Sequence, residues 1–245
     1  MSTTGRRSGS GLDLEQFRGR LERLDGAGRI RLLAEKFRGR LVVSSSFGLQ
    51  SAVMLHLFRE HAPEVPVVFV DTGYLFRETY LYAVQLEERL GFSAHVYQPA
   101  MTAARQEALH GRLWEQGADG LERYARLNKI EPMSRALRDL GADVWASGLR
   151  RAHSDDRAGR RIVERQARTL KVYPIVDWDD GQVSDYMREH DLPAHPLAAA
   201  GFVTMGDWHS TAPAGAAGSR EATRFGGRKY ECGLHLESGV RDFQI

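Results

Sequence analysis

Five short apolar runs, at residues 41–46, 65–70, 94–97, 144–147 and 170–176, are separated by stretches with helical spacing of apolar side chains. That alternation constrains the fold more than any other feature. A run such as Leu41-Val42-Val43 or Val67-Val68-Phe69-Val70 is apolar on both sides of its pleat, so the strand it forms must be covered on both faces. Between the runs, Val53, Met54, Leu57 and Phe58, and the segment 76–90, follow a period near 3.6. Strand and helix in strict alternation predict an α/β fold, a mainly parallel twisted sheet with helices on both faces. Upstream, Leu14, Phe17, Leu21 and Leu24, then Ile30, Leu33 and Phe37, predict two lead-in helices broken at Gly26 to Gly28. Helical patterns fill most of 102–140, with Pro132 at a first helical turn. The basic stretch 157–171 reads as an exposed helix.

A length of 245 residues suffices for one large core, and no internal repeat is visible. The expected organisation is a disordered tail at 1–11, one α/β domain at 12–210 and a mobile Ala- and Gly-rich segment at 211–245. The opening MSTTGRRSGSG lacks an apolar signal region, and no apolar stretch would span a bilayer, so a cytoplasmic protein with no membrane partner is expected. With 34 basic and 32 acidic residues the net charge is only +2, too balanced for a general nucleic-acid binder. The nine histidines form no HExxH or other recognised spacing, and no metal site is predicted.

In open α/β sheets ligands collect beyond the carboxyl ends of the strands. Three strand ends here carry suitable chemistry. Ser44-Ser45-Ser46-Phe47-Gly48-Leu49-Gln50-Ser51 offers hydroxyls and backbone N–H groups for phosphate or sulfate oxygens, and lacks the Gly-Lys-Ser/Thr of a Walker loop. Asp71-Thr72-Gly73 offers a carboxylate for a ribose or adenine group, and Arg150-Arg151 two guanidiniums for an oxyanion. Taken singly, each has a structural reading as a serine-capped helix, a turn or a solvated face. Together at successive strand ends they suit a nucleotide with several anionic groups.

The single cysteine, Cys232, lies in Lys229-Tyr230-Glu231-Cys232-Gly233-Leu234-His235. A lone thiol has no partner for a disulfide or a cysteine-only metal site, which leaves a small buried hydrophobe or a nucleophile. Arg228, Lys229 and His235 favour the thiolate, and Glu231 opposes it.

Taken in order, SSSFGLQSAVMLHL, VDTGYLFRETY, LWEQG, NKIEPMSRAL, SGLRRAHS, YPIVDW and ECGLH resemble the assimilatory phosphoadenylyl-sulfate (PAPS) reductase family, over roughly residues 41–235. The resemblance implies the adenine nucleotide α-hydrolase-like (ATP pyrophosphatase-like) fold and a homodimer. It also implies that Cys232 attacks the sulfonate sulfur, and that thioredoxin or glutaredoxin then releases sulfite from the S-sulfocysteine. By the same resemblance Ser44, Ser45, Ser46, Gly48 and Ser51 form a modified phosphate loop, and Asp71 and Thr72 lie near the nucleoside. Lys129, Arg150 and Arg151 hold the phosphosulfate, and Arg224 and His235 belong to the substrate site. Relatives that reduce adenylyl sulfate (APS) commonly carry a [4Fe-4S] cluster on a Cys-Cys pair and a later Cys-x-x-Cys. Tyr124, Ala125, Asp207 and Ser210 stand at those positions here, which implies the cluster-free, thioredoxin-dependent PAPS branch with no bound cofactor. The alternatives are a cluster-free APS reductase, an ATP pyrophosphatase-type adenylating enzyme and a silent nucleotide sensor. Gln50, where a pyrophosphatase loop carries an acid, weighs against the second of these.

Overall fold

A computed structural model describes residues 12–154, 157–166, 168–217 and 223. Its strands are β1 (Leu41–Ser45), β2 (Val67–Val70), β3 (His95–Tyr97), β4 (Val144–Ser147), β5 (Val163–Gln166) and β6 (Thr169–Val172). They form one sheet in the order β3-β2-β1-β4-β6-β5, parallel except for β5, which runs antiparallel to β6. The helices that position the site are α1 (Leu14–Glu22), α2 (Gly26–Lys36), α3 (Ser51–His61), α4 (Arg77–Leu90), α5 (Ala103–His110), α6 (Gly117–Ala125), α7 (Glu131–Asp139) and α8 (Asp180–Glu189). Among the described residues no helix is long and apolar enough to cross a membrane.

The period of two sorts the side chains of the central strands β1, β2 and β4 between two covered faces, while the edge strand β3 stays largely exposed. Val43, Val67, Phe69 and Ala146 pack with Leu33, Val53, Phe58 and Leu86 from α2, α3 and α4. Val42, Val68 and Trp145 meet Met133 and Ala136 of α7 on the opposite face. Each such Val or Leu, buried outright, contributes about 1.5–3 kcal/mol. A third cluster, Tyr74, Leu113 and Tyr124, anchors α6 beside the sheet. Gly120 is required there, because a Cβ would lie 2.2 Å from the Leu113 carbonyl oxygen.

Two local features depart from the sequence expectations. The 157–171 segment is no helix, since Val163 and Val172 pair across a hairpin that closes the sheet edge. Buried Ile162 and Val163, both β-branched, outweigh the flanking arginines. The lead-in helices break before Gly26, because the Asp25 carboxylate caps α2 by accepting the Gly28 N–H at 2.7 Å. As the sequence predicts, Pro132 lies in the first turn of α7, which continues from α6 through a π-helical turn at residues 126–130. The Glu131 N–H reaches back five residues to Arg126, and this wider turn absorbs the hydrogen bond that proline cannot donate.

Two buried polar groups tie the layers together. Arg29, 3% exposed, donates to the carbonyls of Leu21 and Pro174 and makes a fork of 2.6 and 2.7 Å to Asp177. Replacing Arg29 with Ala orphans these acceptors, and we expect a loss of about 3 kcal/mol in urea unfolding. Asp177→Asn, at a half-exposed carboxylate, should cost less. His195, 1% exposed, accepts the Leu197 N–H on Nδ1, so Nε2 carries the proton towards Thr79 Oγ1 at 3.1 Å. Burial holds its pKa below the usual 6.5, and a second proton would confront the Leu197 N–H. The neutral ring's contribution is therefore complete above pH 6.5 and lost as pH falls below it. Thermal melts should weaken over that range, and His195→Gln should flatten the slope.

Candidate active site

From β1 the chain builds outward to β2 and β3 on one side, while β4 and β6 lie on the other. The crevice at this switch between β1 and β4 is where an open parallel sheet receives ligands. A cavity of about 300 Å³ occupies it. Its walls are the carboxyl ends of β1, β2 and β4, the side chains of Lys129 and Met133, and residues 203–207.

The loop after β1 is held open by an anchor beneath it. Phe47 adopts a φ of +47° while fully buried, with its ring edge-on to Phe69 at 4.8 Å. A bulky residue in the left-handed region costs on the order of 1–3 kcal/mol, and burial of the ring offsets it. The Phe47 N–H donates to Ser45 Oγ at 3.0 Å and Ser51 Oγ donates to the Gly48 carbonyl at 2.8 Å. Ser44 Oγ accepts the Trp145 indole N–H at 2.6 Å.

Opposite this loop stands a buried charge pair. Lys129, on the π-helical turn, brings Nζ within 2.6 Å of Asp207 Oδ2, a buried ion pair. Thr72 Oγ1 donates to Asp207 Oδ1 at 2.5 Å and accepts the Tyr74 N–H at 3.2 Å. Burial alone would raise the Asp207 pKa, but Lys129 and Thr72 hold it down at about 2. The neighbouring Tyr124 phenol is pushed far above its usual range by burial and by the Asp207 charge, so it stays protonated. Nearby, Trp114 stacks on His209 at 3.9 Å.

Arg150 lines the cavity at 1% exposure, yet most of its hydrogen-bonding capacity is engaged. It donates to the Trp178 carbonyl at 3.1 Å, to Asp180 Oδ1 at 2.7 Å and, in a short contact, to Gln50 Oε1. Its charge therefore reaches the cavity through a fixed network, with His153 2.8 Å from the same guanidinium nitrogen.

Of the residues singled out from the sequence, Ser44, Ser45, Ser46, Gly48, Ser51, Thr72, Lys129 and Arg150 line this one cavity. Asp71 and Arg151 are not among the lining residues. Asp71 accepts from the Gly73 N–H, Tyr80 Oη and Gln98 Nε2, which fixes the turn after β2, and Arg151 Nε donates to the Arg160 carbonyl. Cys232, Arg224 and His235 lie outside the described residues. The sequence reading attached no site role to Trp145, and treated Asp207 only as a replacement for a cluster cysteine. The acid in GDWHST was the available signal for its partnership with Lys129.

Comparison with known proteins agrees with this geometry. Residues 40–213 match the model of the phosphoadenosine phosphosulfate reductase domain. The phosphoadenosine 5′-phosphosulfate reductase of Alkalilimnicola ehrlichii is 50% identical over 91% of this chain and 91% of its own. That of Thiocapsa roseopersicina is 51% identical over 91% and 93%. Among solved structures, a phosphoadenylyl-sulfate reductase from Candida auris in complex with phosphate superposes with a TM-score of 0.73 at 28% identity, over 85% of this chain and all of that one. The FMN adenylyltransferase of Candida glabrata shares the fold alone, with a TM-score of 0.56 at 13% identity over 80% of this chain and 64% of its own. By the family model and by these relatives, which align along most of its length, the chain belongs to the phosphoadenosine phosphosulfate reductase family.

Proposed function

We propose that this protein reduces 3′-phosphoadenylyl sulfate to sulfite and adenosine 3′,5′-bisphosphate, in assimilatory sulfate reduction. The observation that carries this reading is a cavity at the sheet's switch point with a serine loop on one wall and a lysine and an arginine on the others, in a chain of this family. Backbone N–H groups and hydroxyls of residues 44–51 receive phosphate oxygens, and Lys129 and Arg150 offset the charge of the phosphosulfate. Because Asp207 pairs with Lys129 within the protein itself, the ammonium is oriented before a ligand arrives.

In the chemical step the Cys232 thiolate attacks the sulfonate sulfur. The bond from that sulfur to the bridging oxygen breaks, and the nucleotide leaves with the electron pair. The product is S-sulfocysteine. A dithiol donor, thioredoxin or glutaredoxin, then attacks Cys232 Sγ and expels sulfite. Its second thiol resolves the mixed disulfide, so two thiols are oxidised to a disulfide while the sulfonate sulfur gains two electrons. This requires the segment 211–245 to bring Cys232 over the cavity, with Arg224 and His235 alongside. The protein is expected to act as a cytoplasmic homodimer.

Tyr124, Ala125, Asp207 and Ser210 are all buried and offer no thiolate, a donor set that does not fit an iron-sulfur cluster. This chemistry favours PAPS over APS as the substrate. Gln50, which accepts from Arg150 and His153, offers no carboxylate where a pyrophosphatase loop would hold magnesium.

Intact mass spectrometry of reduced protein mixed with PAPS, without a protein reductant, should show one added sulfonate on Cys232 that a thioredoxin chase removes as sulfite. Cys232→Ser should take no adduct and release no sulfite, while binding adenosine 3′,5′-bisphosphate within a few fold of the parent. Equal labelling by APS would overturn the substrate assignment, and sulfite release by Cys232→Ser would overturn the mechanism.

A further inference from the structure

The floor of the cavity carries a hydrogen-bond arrangement that the proposed chemistry does not use. Ser44 on β1 and Ser147 on β4 are directly opposite each other in the parallel register. Both line the cavity. Ser147 is 5% exposed, and its Oγ has no hydrogen-bond partner among the described residues. Ser44 Oγ accepts the Trp145 indole N–H at 2.6 Å. An indole nitrogen can only donate, so this bond leaves the Ser44 proton for some other acceptor. Beneath Trp145, Lys171 is 1% exposed and places Nζ 3.6 Å from the centre of the indole ring. A cation on the ring face draws electron density from it and strengthens the N–H as a donor.

We propose that Trp145, backed by Lys171, is a positioning residue that fixes Ser44 as a hydrogen-bond donor to an acceptor atom of the bound nucleotide. A serine hydroxyl ordinarily rotates between donating and accepting. Here the rotation is biased before the ligand enters, so less ordering remains to be done on binding. The Ser147 hydroxyl beside it, without a partner among the described residues, marks the same floor as one that a ligand can complete. This inference rests on the sulfonucleotide reading of the cavity.

The test is calorimetric titration of the full chain with adenosine 3′,5′-bisphosphate. Trp145→Phe keeps a ring for Lys171 and removes only the donor. It should raise Kd about three- to tenfold, as loss of one hydrogen bond implies, and so should Ser44→Ala. The double variant should bind no more weakly than Ser44→Ala alone, because the indole acts only through that hydroxyl. A merely structural tryptophan would instead give effects that multiply. Kd within twofold of the parent for Trp145→Phe, or multiplying effects, overturns the inference and leaves the sulfonucleotide reading standing. A parent protein that fails to bind the nucleotide overturns both. Should Trp145→Phe not fold, the indole N–H resonance of Trp145 in ¹⁵N-labelled protein decides. It should shift on nucleotide addition in the parent and stay in place in Ser44→Ala, and an unmoved parent resonance refutes the proposal.

Discussion

The β1–β4 pairing is the contact on which the site depends. Its register, Leu41 with Val144 through Ser44 with Ser147, sets two strand ends level at the point where the sheet's winding reverses. The serine loop and the arginine strand end therefore open into the same crevice. Slipping either strand by one residue would turn Ser44 and Trp145 into the α2–α4 side of the core and carry Val43 into the cavity. The apolar alternation on both strands makes that slip expensive, so the same pattern that closes the core also aligns the polar groups.

Around this floor the protein distributes charge sparingly. Lys129 and Asp207 neutralise each other where little water reaches, and an unpaired partner there would be far costlier than the pair. Arg150 is compensated by Asp180 and steadied by Gln50. The cavity thus holds its cations as members of networks, with geometry set in advance. Flexible surface lysines would have to be ordered by the ligand itself.

The centre of the sheet was readable because β1, β2 and β4 are buried on both faces, which leaves an unmistakable apolar run. The hairpin was not, since Val163-Glu164-Arg165-Gln166 is short and its arginines dominate any charge-based reading. Cavity-lining residues were legible where they end a strand, as with Ser44 and Arg150. Asp71 and Arg151, equally plausible in the sequence, are not among the cavity-lining residues; Asp71 accepts from Gly73, Tyr80 and Gln98, and Arg151 donates to the Arg160 carbonyl. The Lys129–Asp207 pair was hidden for another reason. The two residues meet only through the fold of distant segments, and nothing local to either specifies the other.

The π-helical turn beneath Lys129 has a consequence for how this chain tolerates change. It accommodates one residue more than an α-helical path over the same span would take. Deleting any one residue between 126 and 130 would leave a smoother helix by local criteria. It would also rotate everything on one side by about 100° relative to the other, swinging the ammonium away from its carboxylate or Met133 out of its core. Length in this short stretch thus matters as well as the identities of Asn128 and Lys129, and a one-residue gap here in a relative would mark a site rebuilt on different terms.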